Sequence, residues 1–529
     1  MVTVREATLN LLRALGMTTV FGNPGSTELP FLNDWPNDFR YILGLQEGSV
    51  VAMADGYARA TRRAAFCNLH SAVGLGHALG NIFTAFRNQT PLVITAGQQV
   101  RALLPLQPFL GADEAVQFPK PYVKWSCEPA RAEDVPAALA HAYYVAMQRP
   151  CGPTFLSIPI DDWAAHTHRV VPREVSRDAG PDPAMLDTLA LALRAAARPA
   201  FVIGPEVDME EVGDLALALA ERARAPVWAS PFSCAVSFPE EHPLFAGFLP
   251  AAPEPVSATL SGYDLILVLG APVFTFHVGG ECSLFSSTIP IFQITADGNG
   301  AASSPAGTSI IASLRLALPA LLERVPQTTR PGPDPRLRPT PPPATDPISA
   351  EFLMHTLAAT RPDGAIIVEE APSHRPAMQA HLPMPGFGTF YTMASGGLGY
   401  SLPASVGVSL AKPDRRVICL IGDGSIMYSV QALWTAAQHQ LPLTVVVINN
   451  GGYGAMRAFS QVLKVRSPPG IDLPGLDFVK LAAGMGCPGT RITGAQELAE
   501  GLQHAFQAPG PVLVEVPVDP AIPKLYDEA

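Results

Sequence analysis

A chain of 529 residues, 48% apolar and 15% charged, has room for about three domains that each bury a core. Its net charge of −11, with no block of Lys or Arg, argues against a nucleic-acid partner. Seven scattered cysteines form no C-x-x-C pair, and no apolar run approaches the ~18 residues that cross a bilayer, which argues against disulfide scaffolds, structural zinc and membrane spans. Residues 1–7 lack the apolar stretch of a signal peptide, so a cytoplasmic protein is expected.

In chain order, 65–69 reads as a strand ending at His70, 74–86 has helix length, and apolar runs follow within 88–95 and 152–161. A polar, proline-containing stretch near 170–183 closes this first segment. The middle segment alternates likewise, with strands expected over 200–204, 226–229 and 265–269. It carries no G-x-G-x-x-G after any of them, so dinucleotide binding there is not supported. Nine of the 22 residues in 326–347 are proline, which favours an extended, semi-rigid linker. Beyond it, 416–421 and 443–448 read as strands around a helix-length segment at 429–439. The expected organisation is 1–180, 181–330, a linker over 331–344, and 345–529.

The outer segments echo each other. Arg62-Arg63 before the 65–69 run matches Arg415-Arg416 before the 416–421 run. Asn88-Gln-Thr-Pro91 matches His439-Gln-Leu-Pro442, and Gly152-Pro153 matches Gly510-Pro511. The offsets are 353, 351 and 358 residues, in the same order. A duplicated domain flanking an inserted one accounts for this. Continuous apolar runs suit strands buried on both faces, so three doubly wound parallel α/β domains are expected.

Gly422-Asp423-Gly424 closes one expected strand of the third segment and Asn449-Asn450 closes the next, 27 residues on from Asp423 to Asn450. Both tips emerge at the carboxyl edge of a parallel sheet, where ligands bind. A carboxylate, an amide oxygen and a backbone carbonyl suit Mg²⁺, which shares its remaining positions with phosphate. The helix expected after Gly424 would offer N–H groups to a diphosphate.

The span from Gly422-Asp-Gly-Ser425 to Ile448-Asn-Asn450 resembles the signature of thiamine-diphosphate-dependent 2-oxo acid decarboxylases and acetolactate synthases, and the resemblance covers the whole chain. Within that superfamily the chain is most similar to benzoylformate decarboxylases, through Phe21-Gly-Asn-Pro-Gly-Ser-Thr-Glu-Leu-Pro-Phe31, Leu45-Gln-Glu47, Asn68-Leu-His-Ser71, Thr95-Ala-Gly-Gln-Gln99, Ala271-Pro-Val-Phe274 with His277, and Ala394-Ser-Gly-Gly-Leu-Gly399. The resemblance implies pyrimidine-binding, middle and diphosphate-binding domains, with thiamine diphosphate and Mg²⁺ as cofactors and Ca²⁺ as a substitute.

It also implies roles. Glu47 would bond N1′ of the aminopyrimidine, Gly396 would accept from its 4′-amino group, and Leu398 would wedge the cofactor into a V. Asp423, Asn450 and the Gly452 carbonyl would hold the metal, while Ser373, Gly422, Gly424, Ser425 and Tyr453 would line the diphosphate. His70 and His277 would move protons and Ser26 would bind the substrate carboxylate. Phe109, Leu110, Thr392, Met456 and Phe459 would surround the substrate side chain. Read from the residues alone, Glu47 is equally a first-turn carboxylate, Ser26 an N-cap, and each histidine an ordinary bonded residue.

Two departures stand out. A Thr-Ser hydroxyl pair of the family is Pro372-Ser373 here, and aromatic bulk expected at Thr392 sits instead at Phe109. The function this implies is decarboxylation of an aromatic 2-oxo acid, benzoylformate to benzaldehyde and CO₂, by a homodimer or homotetramer with neither nucleic-acid nor membrane partner. A carboligase of the acetolactate synthase kind and a cofactor-binding homologue without turnover are the alternatives.

Overall fold

The computed structural model describes residues 1–522 and Leu525. Its described residues hold three six-stranded sheets, every pairing parallel, and one antiparallel pair between Val2–Thr3 and His166–Thr167. The first sheet takes its strands in chain order from Thr19–Gly22, Arg40–Leu43, Ala65–Leu69, Leu92–Gln98, Ser126–Cys127 and Thr154–Pro159. Their spatial order is second, first, third, fourth, sixth, fifth. The last sheet repeats that order with Ile366–Glu370, Phe390–Thr392, Val417–Gly422, Leu443–Asn449, Gly489–Arg491 and Val512–Pro517. The echoed runs of the sequence are the third, fourth and sixth strands of both sheets. These strands are apolar because helices cover both faces, and Ala65–Leu69 is buried along its full length.

The middle sheet is ordered third, second, first, fourth, fifth, sixth, the arrangement of dinucleotide-binding domains. Its switch point lies between Pro199–Ile203 and Leu265–Leu269, and that crevice is filled. A Cβ on Gly204 would lie 2.4 Å from the Ala271 Cβ, and the buried Glu206 carboxylate spans to Thr295 Oγ1 at 2.6 Å. Residues 331–344 carry neither helix nor strand, and within them Arg336 stacks over Phe245 and Phe248 of the middle domain.

The outer domains meet through one helix from each, Glu47–Thr61 and Ser401–Ala411, which each follow the second strand of their sheet. The crossing is close enough to need glycine on both sides. A Cβ on Gly56 would lie 2.1 Å from the Ala404 carbonyl oxygen, and one on Gly407 would lie 1.9 Å from that of Met53. A buried polar seam runs beside it: Arg59 donates to the Tyr400 hydroxyl and the Thr392 carbonyl, both at 2.8 Å, while Tyr400 donates to Asp55 at 2.7 Å.

Two local expectations are corrected. The segment at 429–439 is helical only over Ala432–Gln438, and the helix after Gly422 is a single turn, Asp423–Ile426. Between them hydrogen bonds tighten to three-residue spacing, from Tyr428 to Ser425 and from Ser429 to Ile426, which ends the α-turn. Among the described residues no helix is long and apolar enough to cross a membrane.

Candidate active site

The Gly422-Asp423-Gly424 and Asn449-Asn450 tips lie side by side because their strands are neighbours in the sheet. Asp423 is 3% and Asn450 4% exposed. The Asp423 carboxylate accepts the N–H of Gly424 through Oδ1 and of Gly452 through Oδ2, each at 2.8 Å. Burial pushes this carboxyl above its ordinary range, against the pull of those N–H groups. Asn450 Oδ1 is buried and has no hydrogen-bond partner among the described residues. An orphaned oxygen beside a desolvated carboxylate is what a hard cation would satisfy, so these residues fit Mg²⁺. The Gly452 carbonyl accepts from Gly454 N–H at 3.0 Å and keeps a second lone pair.

These residues open onto a cavity of about 780 Å³ between the middle and third domains. Gly422, Gly424, Ser425 and Tyr453 line it, and Gly424 must be glycine because a Cβ there would lie 2.4 Å from the Tyr453 ring. Ser373 also lines it; its hydroxyl accepts the Ala455 N–H at 2.8 Å, which leaves its own hydrogen to donate. Gly396, at φ +72°, and Leu398 form another wall. Glu370, wholly buried, anchors that turn by accepting the N–H groups of Gly399, Tyr400 and Ser401 at 2.7–2.8 Å. His277, Met456 and Phe459 complete the cavity, with the His277 and Phe459 rings edge-to-face at 4.9 Å.

The remaining expected residues form a second group on the first domain. Glu47 opens the helix Glu47–Thr61 and is 7% exposed. Its carboxylate meets Asn23 Nδ2 at 3.3 Å and His77 Nδ1 at 3.1 Å. His70 ends the strand Ala65–Leu69, and its Nδ1 lies 2.9 Å from Glu28 Oε2. A carboxylate there fixes the proton on Nδ1 and leaves Nε2 as the basic nitrogen. Ser26 is exposed and opens the short turn Ser26–Glu28; the Glu28 carboxylate, rather than the serine, caps it by accepting Gly25 N–H at 2.9 Å. Phe109 is 87% exposed, and the Leu110 carbonyl accepts from the hydroxyl of Ser71, next to His70. Ser26, Glu47, His70, Phe109 and Leu110 do not line the cavity that holds Asp423 in the same chain.

Thr392 is a correction. It was expected in the substrate wall, but it is wholly buried and does not line the cavity. Its hydroxyl donates to the Glu369 carbonyl at 2.8 Å and accepts from Arg375, of the preceding helix Arg375–His381, at 2.9 Å. Neither Arg375, His374, Glu28 nor His77 was singled out by sequence reasoning. Pro372-Ser373 pointed to the segment of the first two, and Glu28 lies inside the quoted 21–31 stretch; His77 carried no signal.

Models of thiamine pyrophosphate enzymes match the chain in three places: the N-terminal TPP binding domain over 2–116, the central domain over 186–321 and the C-terminal TPP binding domain over 372–516. The sequence is 45% identical to a benzoylformate decarboxylase of Pseudomonas aeruginosa, across 98% of this chain and 99% of that one. It is 27% identical to the acetolactate synthase isozyme 1 large subunit of Escherichia coli, across 98% and 94%. Among solved structures, a benzoylformate decarboxylase from Polynucleobacter necessarius superposes with a TM-score of 0.96 at 40% identity, covering 99% of each chain. A thiamine diphosphate-dependent 4-hydroxybenzoylformate decarboxylase from Rhodococcus jostii does so with 0.94 at 41%, covering both chains in full.

Proposed function

The chain belongs to the thiamine pyrophosphate enzymes, and on that premise we propose that it decarboxylates aromatic 2-oxo acids such as benzoylformate, releasing the aldehyde and CO₂. The observation that carries this reading is the pair of histidines. His70 is held in one tautomer by Glu28, and His277 stands edge-on to Phe459 in the cavity of Asp423. Proton delivery to the carbon that loses CO₂ needs such groups, whereas ligation to a second carbonyl compound does not. The test is a panel of 2-oxo acids with added thiamine diphosphate and Mg²⁺. Benzaldehyde and CO₂ from benzoylformate are expected; acetolactate from pyruvate with no aldehyde from benzoylformate would overturn the reading.

Bound thiamine diphosphate supplies a nucleophilic carbon for the keto group and an electron sink as CO₂ departs. The chain's own residues do the rest. Glu47, oriented by Asn23 and His77, holds a proton at the pyrimidine N1′. Gly396 would accept from the 4′-amino group, and Leu398 would pack against the cofactor. Asp423, Asn450 and Gly452 would hold Mg²⁺, with Ser373, Gly422, Gly424, Ser425 and Tyr453 lining the place for the diphosphate. Ser26 donates to the substrate carboxylate, His70 Nε2 exchanges protons with the reacting oxygen, and His277 protonates the carbon. Met456 and Phe459 exclude water, with Phe109 and Leu110 closing the pocket from the other side.

We infer the assembly from the split between the two groups of residues. Glu47, His70 and Phe109 belong to the first domain and lie outside the cavity that Asp423 and Phe459 line. Pairing two copies puts one group against the other, so a homodimer at minimum, and a dimer of dimers by family resemblance, is the proposed state. The domain limits remain those proposed from the sequence, 1–180, 181–330 and 345–529, joined by 331–344. Seven unbridged cysteines support a reducing compartment, the cytoplasm.

A further inference from the structure

We propose that Asn88 and Thr84 are positioning residues: from the first domain they clamp the glycine-rich turn 394–399 of the same chain, and so set where Gly396 and Leu398 meet the rings of thiamine diphosphate. This rests on the cofactor roles proposed above and deepens them.

The turn cannot hold its own place. Three of its six residues, Gly396, Gly397 and Gly399, are glycine, with Gly396 at φ +72° and Gly399 at +96°. Gly396 and Gly397 are exposed. Glycine brings the largest backbone freedom, so the position of such a turn has to be imposed from outside. Glu370 fixes one end, at Gly399–Ser401, and the first domain fixes the other.

The helix Ser71–Arg87 and its C-cap Asn88 carry Asn81, Thr84 and Asn88 at spacings of three and four, which is one face. Asn88 Oδ1 accepts the Ala394 N–H at 2.8 Å, and its Nδ2 donates to Asp55 at 3.2 Å. Thr84 Oγ1 lies 2.8 Å from Ser395 Oγ, which in turn accepts the Gly397 N–H at 3.1 Å. Asn81 donates to the Gly48 carbonyl at 2.9 Å and reaches that of Gly399 at 3.4 Å. Asp55 also accepts from Tyr400, the residue after Gly399, at 2.7 Å. One buried carboxylate is therefore tied to both ends of the turn, through Asn88 to Ala394 and through Tyr400 beyond Gly399. Asn88 and Thr84 are each 1% exposed and Asp55 is wholly buried, and a polar network bonded throughout at such depth is rigid.

The test titrates the full chain, freed of cofactor, with thiamine diphosphate and separately with inorganic pyrophosphate, both in Mg²⁺, and then measures hydrogen–deuterium exchange at C2 of the bound cofactor. Pyrophosphate engages the metal end alone, so it reports damage that does not pass through the turn. Asn88→Leu is expected to weaken thiamine diphosphate about 10-fold, to leave pyrophosphate unchanged and to slow C2 exchange about 10-fold or more. The swap D55N/N88D keeps an acceptor for Ala394 and a donor between the two side chains, and should restore both values. Should Asn88→Leu fail to fold, Thr84→Val removes one hydroxyl at constant shape and should shift both values the same way by a smaller factor. Parent values in the folded variant, or an equal loss of both ligands, would overturn the proposal. Parent values in Leu398→Ala would instead remove the role of the turn, and the clamp with it. None of these measurements uses a 2-oxo acid, so failure of the decarboxylase reading would show separately, as no aldehyde from benzoylformate.

Discussion

His70 and Glu28 are 42 residues apart in sequence, yet His70 Nδ1 lies 2.9 Å from Glu28 Oε2. The same carboxylate accepts Gly97 N–H at 2.9 Å and the Thr27 hydroxyl at 2.7 Å, so it is 1% exposed and cannot turn away. One acid thereby fixes the turn that carries Ser26 and the tautomer of the histidine. Glu28→Gln is expected to lower kcat about 100-fold with KM changed only a few-fold, because a neutral amide does not stabilise the protonated ring. Steady-state kinetics with benzoylformate checks this, and a loss confined to KM would place Glu28 in binding instead.

Asp423→Ala removes the charge that pairs with the metal and the anchor for two backbone N–H groups. Cofactor is expected to separate from the variant on gel filtration in Mg²⁺ buffer, with activity lost. Activity retained with cofactor still bound would show that the metal lies elsewhere.

Glu47→Gln keeps the shape of the side chain but cannot share a proton with N1′. The variant is expected to fold and to bind thiamine diphosphate, while hydrogen–deuterium exchange at the cofactor's C2 slows by two orders of magnitude or more, ~100-fold at least. NMR of quenched samples reads this directly, and exchange at the parent rate would remove the role.

Mixing those two inactive variants tests the assembly. If the groups around Glu47 and Asp423 come from different subunits, hybrid dimers carry one intact site, and exchange of subunits should restore part of the activity. A fully active monomer by light scattering would exclude a shared site.

His374 gives a pH signature. Burial pushes its imidazole down to about 4 from the usual 6.5. Between those values the unfolded chain binds more protons, so stability falls as pH is lowered through that window. The effect is on the order of 3 kcal/mol. His374→Gln should flatten the fall in Tm between pH 6.5 and 4, and an unchanged curve would assign the acid sensitivity to other groups.

What the sequence made legible was whatever depends on burial from both sides. Central strands such as Ala65–Leu69 and Leu265–Leu269 lie where the apolar runs place them, and the echoes along the chain led to two sheets of one topology. Edge strands such as Arg40–Leu43, with one exposed residue and a single neighbour, carry no such run. The metal tips were legible because their ligands sit at strand ends. Glu28 was not, since its meaning comes from Gly97 and His70, both distant in sequence. Thr392 was misread because a sequence position does not show the arginine bonded to its hydroxyl.

The helix crossing between the outer domains has a symmetry of its own. Met53 touches Gly407 and Ala404 touches Gly56; Met53 and Ala404 are 351 residues apart, and so are Gly56 and Gly407. Exchanging the two domains therefore maps the contact onto itself, which is the rule of an isologous dimer written within one polypeptide. Each glycine has a counterpart that plays its part from the other side, and enlarging either wedges open one and the same joint. Substituting both to alanine should then cost less than the two single penalties combined, because the second side chain enters a gap the first has already made.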